Sequence, residues 1–418
     1  MKIIIVGGGL QGLCSAQVLN ERGHDVTVFE ALDGVGLETS FANAGLITPS
    51  KCEPWNGPGA IRHLLSSVFK SSSAFRLRPK AVPSLITWGL DFLINSTPAH
   101  RTTTLKANFD LASYSKDCTR ELQSRLGLQF AHRSAGTLNV YREGEPIAEI
   151  RNQAEFLSQF GERFEELDAD GVIAVEPALK DAKERIKGGF YFPDDDSGDA
   201  HLFCRELQRE ITAAGATLAT GTQVTRVVTE KNRVLGAETG QGMVNADALV
   251  IAAGNGSPAL ARPLGMSLPI KPVKGYSLTL DVDGIDDLPQ IPLLDETLHA
   301  AITPMDGRLR MTSTVEFSGF DKRIDQARID DLFLLLEELY PRIASRIDRT
   351  NARPWAGLRP VSSDGRPFIG PGKVPGVYIN AGHGPLGWTF GMGSAQLLAD
   401  LIEGRPPEID PDPFDAAR

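Results

Sequence analysis

"IIIVGGGLQG" (Ile3–Gly12) joins a short apolar run to a glycine-rich loop near the start of the chain. The run Lys2–Val6 is rich in β-branched residues, which is typical of a buried parallel strand. A helix is expected from Leu10 to Arg22, and Asp25–Glu30 is expected to form a second strand. A strand, glycine loop, helix and strand within about 30 residues predict the βαβ unit that opens a dinucleotide-binding, Rossmann-like sheet.

Each glycine of this G-x-G-x-x-G pattern is expected to have its own role. Gly7 permits the tight turn, Gly9 lets the backbone approach a pyrophosphate, and Gly12 allows the helix to pack closely on the strand. The phosphates are then expected at the helix N-terminus, where free N–H groups favour negative charge. Glu30, at the end of the second strand, can accept hydrogen bonds from ribose hydroxyls and would repel the 2′-phosphate of NADP. The alternative, in which the glycines form only a tight turn and bind no dinucleotide, does not explain the acidic residue Glu30.

A second G-x-G-x-x-G occurs in "NAGHGPLGWTFG" (Asn380–Gly391). It follows an expected strand, Gly376–Ala381, and precedes an expected helix, Thr389–Ile402, but no third strand or closing acidic residue follows. A second dinucleotide fold is therefore not expected. Gly384 and Gly387 are instead expected to bring backbone and a helix N-terminus against a flavin ring, whose reduced form is negatively charged. The alternative is a glycine-rich turn used for packing. One dinucleotide loop combined with this second loop favours FAD over NAD.

Composition excludes several other classes. The chain has 418 residues and a net charge of −10, which argues against broad nucleic-acid binding. Its four cysteines are scattered, so no metal site or disulfide framework is expected and a reducing, cytoplasmic location is favoured. "MKIIIV" is too short for the apolar core of a signal peptide. The sequence contains no run of about 18 apolar residues, so no membrane-spanning helix is expected.

The length favours two domains, and the fold class expected is α/β. A discontinuous FAD-binding, Rossmann-like domain is predicted from residues 1–50, 196–265 and 350–418. An α+β substrate domain built on an antiparallel sheet is predicted from residues 51–195 and 266–349.

Six stretches spread along the chain resemble the FAD-dependent D-amino-acid oxidase and glycine oxidase superfamily, and more closely the bacterial D-amino-acid dehydrogenases (small subunit). They are "VGGGLQG", "ETSFANAGLITPS" (Glu38–Ser50), "YFPDDDSGDAHLF", "VKGYSLTL" (Val273–Leu280), "WAGLRPVSSDGRPFIG" (Trp355–Gly370) and "NAGHGPLGWTFGMGSAQLLADLI". The resemblance implies non-covalent FAD and oxidative deamination of D-amino acids to 2-oxo acids and ammonia. It further implies hydride transfer from Cα to flavin N5 and an electron acceptor other than oxygen, such as a quinone.

The resemblance also implies site residues. The guanidinium of Arg359 matches a planar carboxylate with two parallel hydrogen bonds, and similar enzymes use the arginine of this motif to bind the substrate carboxylate. Tyr276 is expected over the site with its hydroxyl near that carboxylate, or is a plain half-buried strand tyrosine; Lys274 beside it could simply be solvated. The other cofactor contacts expected are Ser40, Asn43 and Gly45, for which turn formation is the alternative, and Trp388, for which core packing is the alternative. Val224 and Gly254 are also expected to contact the cofactor. His383 resembles a general base, but the expected chemistry needs none there.

Other functions stay open. An oxidase or demethylase of glycine, sarcosine or proline-type amines is the alternative within the enzymes, and a flavin-binding scaffold without turnover or an NAD-dependent protein is the alternative of another class. The segment 54–95 is basic and ends in "ITWGLDFLIN", so it could contact an anionic membrane that carries a quinone, or form an ordinary lid. The preferred D-amino acid and the oligomeric state have no signal in the sequence.

Overall fold

Two large sheets organise the described part of the chain. The computed structural model describes residues 1–57, 75–142, 147–295 and 299–418. The strands of the first sheet are β1 (Lys2–Val6), β2 (Asp25–Phe29), β9 (Thr217–Ala219), β13 (Ala248–Ile251), β19 (Phe368–Pro371) and β20 (Val377–Ala381). Their order is β19-β20-β13-β1-β2-β9, and neighbours are parallel except for β19 and β20. This is the Rossmann-like sheet that the sequence predicts.

The second sheet is mostly antiparallel. Its strands are β4 (Phe75–Leu77), β5 (Thr137–Tyr141), β6 (Glu165–Asp168), β7 (Gly188–Phe192), β14 (Ile270–Asp281), β15 (Leu293–Asp295), β16 (Ala300–Met305), β17 (Arg308–Phe317) and β18 (Arg353–Ser362). Their order is β18-β14-β17-β16-β15-β5-β7-β6, with β4 paired to β17. β18 belongs here, although its residues lie within the predicted FAD-binding range 350–418. The predicted domain limits stay a prediction.

Two smaller sheets complete the strands. A two-stranded sheet pairs β3 (Leu46–Ile47) with β8 (Asp196–Ser197). A three-stranded antiparallel sheet contains β10 (Val224–Glu230), β11 (Arg233–Thr239) and β12 (Gly242–Asn245).

The helices lie around these sheets. Those described are α1 (Leu10–Glu21), α2 (Val82–Ile94), α3 (Pro98–Leu126), α4 (Ile147–Ser158), α5 (Ala169–Val175), α6 (Ala200–Ala213), α7 (Ser257–Ala261), α8 (Gln326–Leu339), α9 (Pro341–Ala344) and α10 (Gly391–Glu403). Helices α8 and α9 are separate, because Pro341 lacks the N–H that would continue α8. Among the described helices, none combines the length and apolar character that crossing a bilayer requires.

Several hydrophobic cores pack on the sheets, among them the following two. Buried residues of α1, α3, α6 and α10 pack together with β1 and β2 in one core. On α6 the spacing of Phe203, Leu207 and Ile211 places them on one buried face, and Asp199 caps the helix by accepting hydrogen bonds from two first-turn N–H groups. A second core packs α8 against β14, β16 and β17. The carboxyl ends of β1, β13 and β20, which are neighbours, therefore open toward the second sheet.

Candidate active site

A cavity of about 1040 Å³ lies at those carboxyl ends, between the two sheets. Small-molecule sites typically span about 300–1,000 Å³, so this one is large. The predicted site residues that line it are Gly7, Gly9, Glu30, Ser40, Asn43, Gly45, Val224, Gly254, Tyr276, Arg359, Gly384, Gly387 and Trp388. Gly12 does not line the cavity. The fold thus brings together residues that are up to several hundred positions apart in sequence.

The three glycines of the first loop differ in what a side chain would meet. Gly7 has φ +116°, and a Cβ there would lie 2.5 Å from the carbonyl oxygen of Ala252. A Cβ on Gly12 would lie 1.8 Å from the carbonyl oxygen of Gly7, so helix and strand pack too closely for one. A Cβ on Gly9 would meet only the Ser40 hydroxyl oxygen, at 3.6 Å. Gly7 and Gly12 serve the protein itself, whereas the space at Gly9 faces the cavity.

Glu30 is held in place by the loop beside it. Its carboxylate accepts hydrogen bonds from the backbone N–H groups of Gly8 (2.6 Å) and Leu32 (2.8 Å). A carboxylate has about four acceptor positions, so capacity remains for hydroxyl donors in the cavity. The orientation suits the predicted ribose contact.

The loop from Ser40 to Gly45 is fixed from both sides. The Ser40 hydroxyl accepts a hydrogen bond from the Leu10 N–H at 3.2 Å, at the start of α1. The side chain of Asn43 accepts from the Gly45 N–H at 3.0 Å, which is the turn-forming role left open by the sequence. From the second sheet, Arg310 donates to the Asn43 carbonyl at 3.1 Å. The loop thereby connects the α1 N-terminus to the second sheet.

The two glycine loops meet across the cavity wall. The Gln11 side chain donates to the Gly387 carbonyl at 2.7 Å. Gly384 has φ +56° in a 3₁₀ turn, and α10 begins at Gly391, two residues later than expected, so backbone before the helix lines the cavity. Trp388 is buried, and its ring lies 4.8 Å from that of Phe203. Both loops therefore line one cavity, and β20, which leads into the second loop, belongs to the first sheet.

Two further predicted contacts line the same cavity. Val224 begins β10, where it is buried and lines the cavity. Gly254 follows β13 with φ +53°, and the neighbouring Asn255 donates to the Leu358 carbonyl at 2.7 Å. Both positions are suitable for backbone contacts to a nucleotide.

Arg359 projects from β18 into the cavity. Its Nη1 donates to the Thr314 carbonyl at 3.0 Å. Within residues 1–57, 75–142, 147–295 and 299–418, no carboxylate pairs with it. Burial lowers the pKa of the Arg359 guanidinium to about 10, so it remains a cation at neutral pH. A cation that lines a cavity without a carboxylate partner is suited to bind an anionic ligand.

Tyr276 lines the cavity, but its hydroxyl is directed elsewhere. It donates to Glu316 at 2.8 Å, and burial together with this carboxylate raises the pKa of the phenol well above its usual value. Gly275 faces Arg359, so Tyr276, the next residue in the strand, points to the other face of the sheet. Lys274 is not solvated: its Nζ is buried and lies 3.3 Å from Glu316. The structure does not bring the Tyr276 hydroxyl to Arg359.

His383 is buried in the second loop. Its Nε2 forms a hydrogen bond with the Ser394 hydroxyl at 3.1 Å, and burial lowers the pKa of the imidazole to about 3. A neutral histidine that is hydrogen-bonded to Ser394 of the following helix, α10, is consistent with a structural role.

Gln11, Gly275 and Thr314 are site residues that sequence reasoning missed. Gln11 lies inside the first glycine pattern, but its link to Gly387 depends on how the chain folds back. Gly275 could have been noticed, because a glycine inside a strand indicates a bulge or a close approach. Thr314 carries no such signal.

The cavity fits FAD in its shape and its donors. The N-terminus of α1 has no acidic residue in its first turn, and its N-cap residue Gly9 has no side chain to cap it. Ser40 accepts a hydrogen bond from the Leu10 N–H, and the helix N-terminus can accept a pyrophosphate beside Gly9. The α10 N-terminus, which lies beyond the second loop, also has no acidic residue in its first turn and no side-chain cap. The lining of the cavity includes Glu30 and Val224, Gly387 of the second loop, and Arg359.

Known proteins place the chain in a family. The model of the family described as FAD dependent oxidoreductase matches residues 2–401. D-amino acid dehydrogenase of Bradyrhizobium diazoefficiens is 40% identical over 410 residues, which cover 98% of this chain and 97% of that protein. D-amino acid dehydrogenase of Agrobacterium fabrum is 38% identical over 98% and 97% of the two chains.

A solved structure shares the architecture. Glycine oxidase from Geobacillus kaustophilus matches with a TM-score of 0.75 and 25% identity, over 100% of this chain and 98% of that one. This likeness covers both sheets, and the family match covers both glycine loops and Arg359. The chain therefore belongs to the FAD-dependent oxidoreductase family, and its cofactor is FAD.

Proposed function

We propose that this protein is a D-amino-acid dehydrogenase. It oxidises a D-amino acid to an imino acid, which water converts to a 2-oxo acid and ammonia, and it delivers the electrons to an acceptor other than oxygen. The curated relatives described above carry this name over nearly the full length of both chains. The observation that carries the proposal is Arg359, a partly buried cation in the cavity without a carboxylate partner among the described residues.

Arg359 and the cofactor contacts have separate tasks. Arg359 binds the substrate carboxylate and so orients the Cα–H bond in the cavity; this positioning, rather than an acid–base side chain, supplies most of the acceleration. FAD is held by the two glycine loops and by Glu30, Ser40, Asn43, Gly45, Val224, Gly254 and Trp388. When bound, FAD supplies the two-electron chemistry by accepting a hydride from the substrate. Tyr276 contributes to the wall, since its hydroxyl would have to leave Glu316 to reach a substrate.

Anaerobic titration of the purified holoprotein tests this function. The visible absorption of oxidised flavin should bleach with D-amino acids and not with their L-isomers. Bleaching by glycine or sarcosine alone would instead support the amine oxidase alternative, with which the structural similarity to glycine oxidase is compatible. A flavin that no amino acid reduces would support a scaffold without turnover. Reoxidation of the reduced protein should be faster with a soluble quinone than with oxygen.

A membrane quinone is the acceptor we propose, reached through α2. Trp88 and Phe92 of this helix pack inward against Val273 and Val361. Its outer face carries five exposed apolar residues: Val82, Ile86, Leu90, Leu93 and Ile94. An amphipathic helix with such a face can lie in a bilayer interface. Residues 58–74 of the predicted contact segment 54–95, including Arg62 and Lys70, lie outside the described residues.

A further inference from the structure

Arg359 lies between a glycine and a strained bulge. In the antiparallel pair of β14 and β18, Gly275 is opposite Gly357, and Val273 is opposite Arg359. A Cβ on Gly275 would lie 2.4, 2.5 and 2.6 Å from Nη1, Nη2 and Cζ of Arg359. These nearly equal distances mean that the guanidinium covers the Gly275 backbone. Any larger residue at this position would displace it.

Thr314 forms the other side of this arrangement. It has φ +79°, which is a genuine outlier for a β-branched residue. The register between β17 and β14 shifts at this point. On its other side β17 pairs with β16 as far as Thr312 and with β4 from Val315 onward. Bulges often redirect groups beside active sites. This one directs the Thr314 carbonyl to Nη1 of Arg359 at 3.0 Å.

A carbonyl acceptor has a different effect on Arg359 from that of a carboxylate. A guanidinium has five N–H donors in a fixed fork, and a single bond from Nη1 restrains its orientation. Because the carbonyl is neutral, the positive charge remains available to an anion in the cavity. A protein carboxylate at the same place would compete with the substrate for Arg359.

We propose that Gly275 and Thr314 are positioning residues that hold Arg359 with its unused edge toward the substrate carboxylate. This inference rests on the proposed function, in which Arg359 binds that carboxylate. It predicts that the backbone at both positions, rather than the Thr314 side chain, controls carboxylate affinity.

Gly275→Ala tests the first half. Ser277→Ala is the matched control, because Ser277 lies two residues further along the same face of β14 and is buried outside the cavity lining. Benzoate serves as a carboxylate probe that is not oxidised, and the change it causes in the flavin absorption gives its Kd. The Kd should rise roughly 10- to 100-fold in Gly275→Ala, since a displacement of about 1 Å can cost that much. It should stay within about twofold in Ser277→Ala, and both variants should retain FAD.

Thr314→Pro and Thr314→Gly test the second half. Proline holds φ near −65° and cannot keep this conformation, whereas glycine adopts positive φ freely. Thr314→Gly should bind benzoate almost as the parent protein does, and Thr314→Pro should lose at least about tenfold in affinity. If Thr314→Pro does not fold, the comparison of Gly275→Ala with Ser277→Ala carries the test alone.

Arg359→Ala separates the possible failures. If it weakens benzoate binding while Gly275→Ala does not, the positioning inference is overturned and the role of Arg359 stands. If Arg359→Ala leaves benzoate binding unchanged, the carboxylate role within the proposed function fails, and the positioning inference fails with it. Weaker binding in both, with Ser277→Ala and Thr314→Gly unaffected, is the result we expect.

Discussion

The glycines of the first loop are required for different physical reasons. A Cβ on Gly7 or Gly12 would collide with a backbone carbonyl oxygen of the protein, at 2.5 and 1.8 Å respectively. Gly9 avoids no such collision, because the nearest neighbour of a Cβ there would be the Ser40 hydroxyl at 3.6 Å. Substitution at Gly9 therefore separates cofactor binding from folding, which substitution at Gly12 cannot do.

Gly9→Ala should weaken FAD binding and leave the apoprotein folded. The added methyl group occupies the cavity beside the α1 N-terminus, and overpacking of this kind costs about 1–3 kcal/mol. Fluorescence titration of the apoprotein with FAD gives the Kd, and thermal unfolding of the apoprotein gives its stability. Gly240→Ala is the control, because a Cβ there meets nothing within 4 Å. Unchanged FAD affinity in Gly9→Ala would mean that the pyrophosphate does not lie at this position.

Arg359→Lys and Arg359→Ala should both lower kcat/KM for D-amino acids, the second more strongly. Lysine keeps the charge but loses the planar fork, and removal of a buried charged partner typically costs about 2–5 kcal/mol. Steady-state kinetics measure the loss, and the flavin spectrum checks that the cofactor site is intact. Arg353→Ala is the matched control on the same strand, where the exposed side chain pairs with Asp281. Equal losses in Arg353→Ala and Arg359→Ala would contradict a specific role for Arg359.

At the scale of elements, the proposed membrane contact is expected to depend on the apolar face of α2, because two basic residues before the helix are paired within the protein. Arg76 pairs with Asp325 at 2.9 Å, and Arg78 pairs with Glu316 at 2.7 Å. Charge reversal of these arginines would break internal ion pairs, so it is a poor test of membrane binding. The exposed residues of the helix itself provide a cleaner one.

Ile86→Ser combined with Leu90→Ser should reduce flotation with anionic vesicles roughly tenfold or more, because each buried side chain of this size contributes about 1.5–3 kcal/mol. These side chains are 58% and 55% exposed, so the substitutions should not affect folding. Leu334→Ser, at a 52% exposed position on α8, is the control. Binding should depend only weakly on salt. Equal flotation of the double variant and the parent protein would eliminate this contact.

At the scale of the whole molecule, a buried carboxylate joins the two halves. Asp195 accepts hydrogen bonds from Ser50 (2.5 Å), which follows β3, and from Thr137 (2.6 Å) on β5 of the second sheet. Burial raises the pKa of Asp195 to about 6. Burial, together with the nearby negative charge of Asp195, raises the pKa of Glu162 to about 8. Lys116 and Arg163 oppose the shift at Glu162, and Asp194 adds to it.

The contribution of these two carboxylates to the free energy of unfolding should therefore fall as pH rises from about 4 to about 8. In this window the pair binds more protons in the folded state than in the unfolded state, because both folded pKa values lie above the unfolded ones. Glu162→Gln removes much of this dependence, and each pKa unit corresponds to about 1.4 kcal/mol. Denaturant unfolding at pH 5, 6.5 and 8, values chosen to span roughly this window, measures it. The exposed Glu165→Gln is the control. The same pH slope in Glu162→Gln and the parent protein would contradict the prediction.

Local spacing was sufficient to predict the βαβ unit, the FAD loop and the family resemblance, because each depends on residues close together in sequence. The glycine pattern, the strand at residues 2–6 and the acidic residue at position 30 act through neighbouring turns of one chain segment. Arg359 was predicted from its motif, and the structure places it in the cavity with the predicted cofactor residues.

Long-range pairing controlled the rest. The register between β14 and β18 brings Gly275 under Arg359, and the change of neighbour along β17 sets the positive φ of Thr314. The same pleat alternation turns Tyr276 toward Glu316 and away from Arg359. The glycine within β14 indicates a close approach but not which residue approaches it. Strand register depends on hydrogen bonds between segments that lie tens of residues apart, and a shift of one residue exchanges the two faces of a strand.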